Sequence, residues 1–476
     1  MTKRNTRREF LKTTAQAAAV FTIVPRHVLC GKGFIPPSDR LNIAFIGAGG
    51  KASDHIRTLK DTETYVAFCD VDDRRAADTY KEFPKVPRFR DFRKMLDAHA
   101  RDIDAVVVAT PDHTHAIAAV SAMQLGKHVY VEKPLTHNIR EARQLLEAAR
   151  KYKVVTQMGN QGASMDCNAE LAEWIQSGVI GKVKKVHVWT NRPVWPQGVP
   201  TPKAGDTLPP ELDWDLWLGP APARAYSDRY LPFKWRGWWD FGTGALGDMG
   251  CHLIDPVYRA LKLTSPTSVE ASATTVWSGD FVEADYPDSC PPSSIVRMDF
   301  PAREKMPACE LWWYDGGVRP MRPAELGSNE PFGSWDGGAL LEGSKGKLLC
   351  GIYGDKATLL PTSKMKDFKP PRPTEPRYTD RHQIVWAKAC KGQGKASSPF
   401  EYAVPLTEAL LIGNLAVRCY DMKKLQPGKT PESWAPYDYP GRVRLEWDSA
   451  NMRITNFEEA NAFVGREYRA GWGPGK

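Results

Sequence analysis

A glycine-rich turn at residues 47–52 constrains this 476-residue chain more than any other feature of its sequence. The apolar stretch Leu41–Ile46 predicts a buried strand, and Gly-Ala-Gly-Gly-Lys-Ala follows it in the pattern G-x-G-x-x-A. In dinucleotide-binding folds the first glycine permits the tight turn, the second lets the backbone approach a pyrophosphate, and the final small residue allows close helix–strand packing. The next helix would aim its amides at the phosphates. The cofactor-binding candidates here are Gly47, Gly49, Gly50 and Ala52.

An acidic residue after the second predicted strand supports this interpretation, because a glycine turn alone is a weak signal. Thr64–Cys69 predicts a strand, and Asp70 ends it 21 positions (70 − 49) after Gly49. A carboxylate there can hold the ribose hydroxyls of NAD. Arg74 and Arg75 keep NADP open, since an arginine can receive the extra phosphate. Asp70 could also serve as a helix N-cap.

Helices and strands alternate up to residue 158. Helices are predicted at Phe89–Ala98, His115–Leu125 and Glu141–Tyr152, and strands at Ala105–Ala109, Val129–Val131 and Val154–Met158. This alternation predicts a doubly wound, parallel α/β domain over residues 40–158. Ligands of such sheets bind beyond the carboxyl ends of the strands. The further cofactor-binding candidates at that edge are Thr110, Pro111, His115, Glu132 and Lys133.

Lys133 is the residue at this edge whose side chain is best suited to take part in catalysis. It follows the short strand Val129–Val131 within Glu132-Lys133-Pro134. A lysine sheltered beside a cofactor can lose part of its proton affinity and take part in acid–base chemistry. Taken alone, the tripeptide would be better explained as a surface Glu–Lys pair before a loop proline. Its place at the same edge as the glycine turn favours a catalytic lysine.

A second group of polar residues lies in a helix predicted at residues 247–261. Spacings of four and three residues place Asp248, His252 and Asp255 on one face. A histidine flanked by carboxylates suits proton transfer near neutral pH. One alternative is a metal site, although no further ligand cluster completes it. The other is a core histidine in a capped helix.

The regular alternation of helices and strands ends at residue 158, and the pattern of residues 159–476 predicts a second α/β domain. Strands are predicted at Val183–Thr190, Ser268–Ser278, Ser294–Phe300 and Ala308–Tyr314, which together favour an open, mostly antiparallel sheet with helices on one side. Residues 192–239 are rich in Pro and Trp and predict long, structured loops. Their aromatic rings could bind a sugar, but ordinary packing of loops over a sheet explains them equally well.

The positive charge is concentrated at the N-terminus. Residues 1–32 carry a net charge of 7 − 1 = +6, which leaves +3 of the total +9 for the remaining chain. Because that remainder has no basic run, nucleic acid is not expected as a partner. The stretch Thr6–Lys12 reads Thr-Arg-Arg-Glu-Phe-Leu-Lys and precedes an apolar segment, a pattern typical of twin-arginine signals. A basic N-terminal helix would explain the charges but not this motif, so the protein is expected to be periplasmic or otherwise exported.

Together these motifs resemble the Gfo/Idh/MocA oxidoreductase family, in its exported, tryptophan-rich bacterial branch. The matching segments are residues 47–52, 110–115, 132–134, 235–242 and 247–252, with Asp255. The resemblance implies a Rossmann domain, a second α/β domain whose sheet forms a homo-oligomer, a tightly held nicotinamide cofactor and a sugar, glycoside or polyol substrate. It implies Lys133 as the catalytic lysine, with Asp248 and His252 as the substrate-binding and acid–base pair. Asp112 departs from the Asn of many relatives.

The expected reaction is hydride transfer between a secondary alcohol carbon and C4 of the nicotinamide. In this hypothesis His252 exchanges the hydroxyl proton, Lys133 hydrogen-bonds that oxygen, and Asp248 orients the substrate or the histidine. Two alternatives stay open. The first is a redox-neutral, NAD-dependent glycoside hydrolase or lyase that acts through a keto sugar, with His252, Tyr226 or Tyr230 as the base. The second is a non-catalytic nucleotide- or sugar-binding protein.

Overall fold

The computed structural model describes residues 39–431 and 433–473. The predicted export signal in residues 1–32 lies outside the described residues. Within them, the first domain contains a sheet of six parallel strands in the order β3-β2-β1-β4-β5-β6. The strands are β1 (Asn42–Ile46), β2 (Thr64–Cys69), β3 (Arg88–Phe89), β4 (Ala105–Val108), β5 (His128–Val131) and β6 (Thr156–Met158).

Five helices of the described first domain connect these strands. They are α1 (Ala52–Leu59), α2 (Asp73–Glu82), α3 (Phe92–His99), α4 (Asp112–Gln124) and α5 (Ile139–Tyr152). The alternation and strand order confirm the predicted Rossmann-type sheet. The helix predicted at Phe89–Ala98 begins too early, because Phe89 belongs to β3. The Asp91 side chain then caps α3 by accepting a hydrogen bond of 2.9 Å from the backbone N–H of Arg93.

The second domain is built on a mixed sheet. In the described residues its nine strands follow the order β15-β14-β13-β7-β12-β11-β8-β18-β19, and neighbours are antiparallel except for β7 and β12. This agrees with the mostly antiparallel sheet predicted. The strands of this part of the chain are β7 (Val183–Thr190), β8 (Ser268–Ala273), β9 (Trp277–Gly279), β10 (Val282–Glu283), β11 (Ser294–Phe300), β12 (Cys309–Tyr314), β13 (Gly337–Gly343), β14 (Gly346–Cys350), β15 (Thr358–Leu360), β16 (Lys424–Leu425), β17 (Tyr437–Asp438), β18 (Leu445–Asp448) and β19 (Arg453–Ile454).

The helix predicted at residues 247–261 is divided in two. Helix α8 ends at Leu253 and α9 begins at Asp255, followed by Pro256 at its N-terminus. A proline has no N–H with which to continue the helical hydrogen bonds, so the chain starts a new helix there. Asp255 therefore lies on a different helix from Asp248. The helices of this part are α6 (Asp166–Gln176), α7 (Trp214–Leu218), α8 (Gly244–Leu253), α9 (Asp255–Ala260), α10 (His382–Cys390) and α11 (Phe400–Tyr420).

Helix α11 forms the centre of the protein. It packs against α5, α8 and β8, and so joins the two sheets. Among the described helices it alone is long and apolar enough to cross a membrane, but 83% of that apolar stretch is buried inside the fold. Packing in the core therefore accounts for its composition.

Helix α10 covers the first sheet although it comes from the C-terminal part of the chain. Trp386 is fully buried in a cluster with Ile43, Phe45 and Tyr130. The side-chain amide of Gln157 also donates a hydrogen bond of 2.7 Å to the carbonyl oxygen of His382. With α1 and α2, helix α10 thus completes one apolar face of the Rossmann sheet.

Candidate active site

A cavity of about 580 Å³ opens at the carboxyl edge of the first sheet, where the strand order reverses between β1 and β4. Its volume is in the range of small-molecule sites. Residues that follow four of the parallel strands line it. Those anticipated from the sequence are Gly47, Gly49, Gly50, Asp70, Thr110, Pro111, Glu132 and Lys133, and they are joined across the cavity by His252.

The glycine turn is shaped so that larger residues would not fit. Gly47 has φ +90°, and a Cβ atom there would lie 2.6 Å from the carbonyl oxygen of Ala109. A Cβ atom on Gly49 would lie 2.2 Å from the carbonyl oxygen of Arg75. The backbone of Gly47 and Gly49 is therefore not covered by a side chain beside the cavity. Ala52 is fully buried at the start of α1, where a small side chain lets the helix pack closely.

Asp70 is held against this turn. Its carboxylate accepts hydrogen bonds from the backbone N–H groups of Ala48 (2.9 Å) and Asp72 (3.0 Å). Burial raises the pKa of Asp70, and the two hydrogen bonds oppose that shift. The residue that caps α2 is Asp72, which accepts a 3.1 Å hydrogen bond from the backbone of Arg74. Asp70 is thus not the N-cap of α2, and its side chain faces the cavity.

The two neighbouring arginines differ in their surroundings. Arg74 forms a two-pronged ion pair with Asp72, at 2.8 and 2.7 Å. Arg75 lines the cavity, and its Nη2 lies 2.7 Å from the position of a Cβ atom on Gly50. Of the two, Arg75 is therefore the one placed to meet a nucleotide phosphate.

Glu132 ends a chain of buried hydrogen bonds that the sequence interpretation missed. The Gln383 amide donates to Nδ1 of His55 (2.9 Å), and Nε2 of His55 lies 2.8 Å from Oε1 of Glu132. The backbone N–H of Lys133 donates to Oε2 at 3.2 Å. Burial alone would raise the pKa of Glu132, but its hydrogen bond with His55 lowers it to about 2. Glu132 is therefore a permanent anion at the cavity wall.

Lys133 takes part in a buried ionic cluster. Its Nζ donates to Oδ1 (2.8 Å) and to the backbone oxygen (3.0 Å) of Asp248, and Nε of Arg236 donates to the same Oδ1 at 3.1 Å. Burial favours the neutral form of both Lys133 and Asp248. Their mutual attraction outweighs it, so the pKa of Lys133 is raised and that of Asp248 is lowered. The expectation that Lys133 has a reduced proton affinity is therefore wrong.

Asp248 lies behind Lys133 rather than on the cavity surface. It is not among the lining residues, whereas Lys133 and Arg236 both are. Its carboxylate thus positions the two cations at the wall. Arg236 is further held over the rings of Phe233 and Trp235, each at 4.3 Å. The sequence interpretation included Arg236 in a motif but gave it no role.

His252 faces the cavity as a neutral ring. Burial and the nearby charge of Lys133 lower its pKa to about 3. Its Nδ1 is buried and has no hydrogen-bond partner within the described part of the chain. The ring packs edge-on against Tyr353 at 5.3 Å between centroids, and the Tyr353 hydroxyl accepts a 2.9 Å hydrogen bond from Gln161. A polar group of a bound molecule could therefore pair with His252.

Asp112 is a second buried carboxyl group at the cavity. It is 2% exposed, and its Oδ2 accepts a 3.0 Å hydrogen bond from the hydroxyl of Thr243. Burial, and then the negative charge of Asp248, raise the pKa of Asp112 to about 7. The sequence interpretation noted this residue only as a departure from a family pattern.

Besides Ala52 and Asp248, two more of the residues anticipated at the site lie outside the cavity lining. The buried ring of His115 lies between the carbonyl oxygens of Pro134 (2.9 Å) and Thr110 (2.8 Å), so it braces the loops behind the wall. The carboxylate of Asp255 accepts a 3.1 Å hydrogen bond from Asn168 and another from the hydroxyl of Tyr402. Asp255 therefore bonds to Asn168 and Tyr402 and not to a group that lines the cavity.

Tyr226 and Tyr230, considered as bases, belong to a buried aromatic cluster formed with Trp214 and Trp238. Neither lines the cavity.

Across residues 39–431 and 433–473, no group of three or more His, Cys, Asp or Glu side chains could hold a metal ion.

The tryptophan-rich loops both pack and line the cavity. Trp217 and Trp235 line it, whereas Trp214 stacks on Trp217 at 4.8 Å and supports it from behind. Trp472, from the C-terminal segment, forms part of the wall and lies under the guanidinium of Arg93 at 4.2 Å. No local sequence signal marks Trp472, because it reaches the site only through tertiary packing.

The fold and cavity define a dinucleotide-binding α/β protein with a second, mixed-sheet domain. Residues 41–160 match the Gfo/Idh/MocA model described as "Oxidoreductase family, NAD-binding Rossmann fold". Residues 169–284 match the model of the same family described as its "C-terminal alpha/beta domain". Residues 41–160 and 169–284 therefore match, in the same order, the NAD-binding and C-terminal domains of one oxidoreductase family.

Curated relatives match over part of their length. The chain is 28% identical over 203 residues to a glycosyl hydrolase family 109 protein of Shewanella pealeana, which covers 37% of this chain and 44% of that protein. It is 29% identical over 187 residues to an inositol 2-dehydrogenase of Salmonella paratyphi B, with coverage of 37% and 54%. The chain thus spans about half the length of the curated relatives it matches.

Solved structures share the fold. The WlbA dehydrogenase of Bordetella pertussis, solved in complex with NADH and UDP-GlcNAcA, matches with a TM-score of 0.53 and 16% sequence identity. The match covers 80% of this chain and 97% of that one.

Proposed function

We propose that this protein is an NAD-dependent oxidoreductase that acts on a secondary alcohol of a sugar, glycoside or polyol. The observation that carries the proposal is that Lys133 and His252, from different domains, line the same cavity as the glycine turn. The relatives described above include an inositol dehydrogenase, which is consistent with a polyhydroxylated substrate.

The residues of the first domain fit a dinucleotide. The bare backbone at Gly47 and Gly49 would receive the pyrophosphate, and Asp70 would accept hydrogen bonds from the adenosine ribose. Thr110 and Pro111 form the adjacent wall. When bound, the nicotinamide supplies the hydride acceptor or donor. We propose NAD rather than NADP because the Asp70 carboxylate repels a ribose phosphate, and we propose that the cofactor stays tightly bound.

Lys133 and His252, which line the same cavity, orient the substrate. Lys133, held protonated by Asp248, donates a hydrogen bond to the oxygen of the reacting alcohol and stabilises negative charge on it. Neutral His252 offers a ring nitrogen to the same or a neighbouring hydroxyl. The aromatic side chains of Trp217 and Trp235 exclude water from the far side.

The test of this assignment is NAD reduction by purified protein with a panel of polyols and sugars. Lys133→Met and His252→Ala should each lower turnover on the order of 10²–10³-fold, the usual effect of losing a group that hydrogen-bonds the reacting oxygen. Lys94→Met is the matched control, because Lys94 is exposed on α3. If both variants kept wild-type turnover while remaining folded, the catalytic assignment would fail and a non-catalytic binding protein would be the better interpretation.

A redox-neutral glycoside hydrolase or lyase is the second candidate, favoured by the similarity to the glycosyl hydrolase family 109 protein. A sugar hydroxyl oxidised to a ketone acidifies the neighbouring C–H, permits loss of the glycosidic substituent, and is reduced again in the same cycle. Aryl glycosides incubated in deuterated water without added cofactor distinguish the two reactions. Multiple turnovers with deuterium beside the oxidised carbon support this candidate. Strict dependence on added NAD, with a ketose formed mole for mole with NADH, supports the dehydrogenase.

We also propose export by the twin-arginine pathway, supported by the motif at residues 6–12. Replacement of both Arg7 and Arg8 by lysine should then block the appearance of the protein outside the cytoplasm.

A homo-oligomer formed through the second sheet is a further proposal. The outward face of this sheet presents half-buried Ile295 and Trp312, which a second copy could cover. Light scattering of wild-type protein and Trp312→Glu tests it, and an unchanged monomer in both would contradict it.

A further inference from the structure

Asp112 has a position that the proposed hydride transfer leaves unexplained. Its carboxyl group is almost fully buried, yet it lines the cavity that holds Lys133 and His252. The hydroxyl of Thr243 is the one hydrogen-bond donor to its side chain within the described residues. Thr243 is fixed in turn, because the Asn414 amide donates a 2.8 Å hydrogen bond to its backbone oxygen.

Asp112 and Asp248 are two buried carboxyl groups in contrasting environments. Asp248 bonds directly to two cations, Lys133 and Arg236. Asp112 forms no ion pair in the described structure and bonds to a neutral hydroxyl. The first is therefore fixed as an anion, whereas the second can exist in either protonation state. A pair of carboxyl groups divided in this way is a common arrangement for acid–base chemistry.

Lys133 and His252, the other two groups assigned to the reaction, are poorly suited to accept a proton near neutral pH. Lys133 already carries its proton, because Asp248 raises its pKa. The low pKa of His252, about 3, makes its ring a weak base. Efficient proton transfer requires a pKa close to the working pH, and the pKa of Asp112 is about 7.

We propose that Asp112 is the group that takes the hydroxyl proton during alcohol oxidation and returns it during reduction. This inference rests on the proposed oxidoreductase function and names a different acid–base residue from the histidine suggested by the sequence. In the oxidation direction the O–H bond breaks and its proton passes to a carboxylate oxygen of Asp112. The C–H electron pair leaves with its hydrogen as hydride to the nicotinamide, and the C=O bond forms.

The charged and titratable groups that face Asp112 come from three elements. Lys133 follows β5, Arg236 lies in the tryptophan-rich loop, and Asp248 lies on α8. The Cys251 and Cys290 thiols are also near, and burial raises the pKa of both so that they remain neutral. The proton balance near neutral pH therefore depends on Asp112 itself.

Infrared difference spectroscopy tests the protonation of Asp112 without turnover. In wild-type protein the carbonyl stretch of a protonated carboxyl group should disappear as the pH rises through about 7, and Asp112→Asn should lack this change. Thr243→Val should move it to higher pH, because the lost hydrogen bond favours the ionised form. If Asp112 is already fully ionised well below neutrality, the proposal is overturned.

The pH dependence of kcat/KM provides the kinetic test. For alcohol oxidation kcat/KM should rise as the pH increases through about 7. The midpoint of this rise should move to higher pH in Thr243→Val, and the rise should persist in His252→Gln. Asp112→Asn should lose this dependence together with 10²–10⁴-fold of turnover, while cofactor binding and thermal unfolding show that the variant is folded. If the pH dependence persists in Asp112→Asn, the assignment of Asp112 is overturned but the proposed function is not. Absence of NAD reduction by the wild-type protein would instead refute the proposed function.

Discussion

Replacing His55 with leucine should destabilise the first domain, because it leaves the buried carboxylate of Glu132 without its main partner. His55 is fully buried, and its Nε2 lies 2.8 Å from Oε1 of Glu132. Leucine is similar in size, so little of the effect should come from an empty cavity. The perturbation therefore isolates the electrostatic role of His55.

The magnitude follows from the pKa of Glu132. It falls from an ordinary value of 4.5 to about 2, a difference of about 2.5 units. At about 1.4 kcal/mol for each pH unit, the folded state gains about 3.5 kcal/mol at neutral pH from the ionised form. Breaking a buried pair costs about 3–5 kcal/mol. We therefore expect His55→Leu to lower the free energy of unfolding by at least about 3 kcal/mol at pH 7.

The pH dependence has a definite sign. A carboxyl group whose pKa is lowered on folding stabilises the protein above its unfolded pKa of 4.5, and this stabilisation is lost as the pH falls through about 2. The difference between wild type and His55→Leu should therefore be largest near neutrality and shrink below pH 4.5.

Urea unfolding measures this difference, and hydrogen exchange in peptides from α1 and β5 assigns it to the first domain. Gln383→Leu is the matched control, because it removes one hydrogen bond to His55 and should cost only about 1 kcal/mol. The double variant His55→Leu/Glu132→Gln should recover part of the loss, since no charge remains buried. A His55→Leu effect below about 1 kcal/mol, with no coupling to Glu132, would refute this reasoning.

Three further predictions concern the cavity. Asp70→Ala should weaken NAD binding and reduce the discrimination against NADP, which calorimetry measures; tighter binding of NADP than NAD by the wild-type protein would point to Arg75 instead. Trp472→Ala should speed the release of NADH, followed by stopped-flow fluorescence, and an unchanged rate would show that this wall does not retain the cofactor. Asp248→Asn should lower the pKa of Lys133, because burial then acts unopposed, and the pH dependence of amine labelling would reveal a shift or its absence.

Local patterns were sufficient to predict the Rossmann sheet and the edge that carries the cavity. The limits of β7 and β11 agree with the structure, because alternating apolar residues define both strands. The glycine turn and Lys133 could be placed at one edge because parallel strands end together. The break before Pro256 also had a local signal, which the predicted long helix overlooked.

Other parts of the site could not be predicted from one sequence. Gln383 reaches His55 across 328 residues, and Arg93 contacts Gly471 across 378. Such contacts depend on how distant elements pack and leave no spacing to recognise. The direction of the Lys133 pKa shift has the same origin, because it depends on a carboxylate 115 residues away.

The place of α10 on the first sheet has a consequence for how the chain is synthesised. Until residues 382–390 leave the ribosome, the apolar surface around Phe45 and Tyr130 lacks the side chain of Trp386 that covers it. The nascent N-terminal domain therefore stays partly uncovered while seven of the nine strands of the second sheet, β7, β8 and β11 to β15, are translated. Such an intermediate is a natural client for chaperones that bind apolar surfaces. An excised fragment of residues 40–158 would keep this surface permanently exposed and should aggregate.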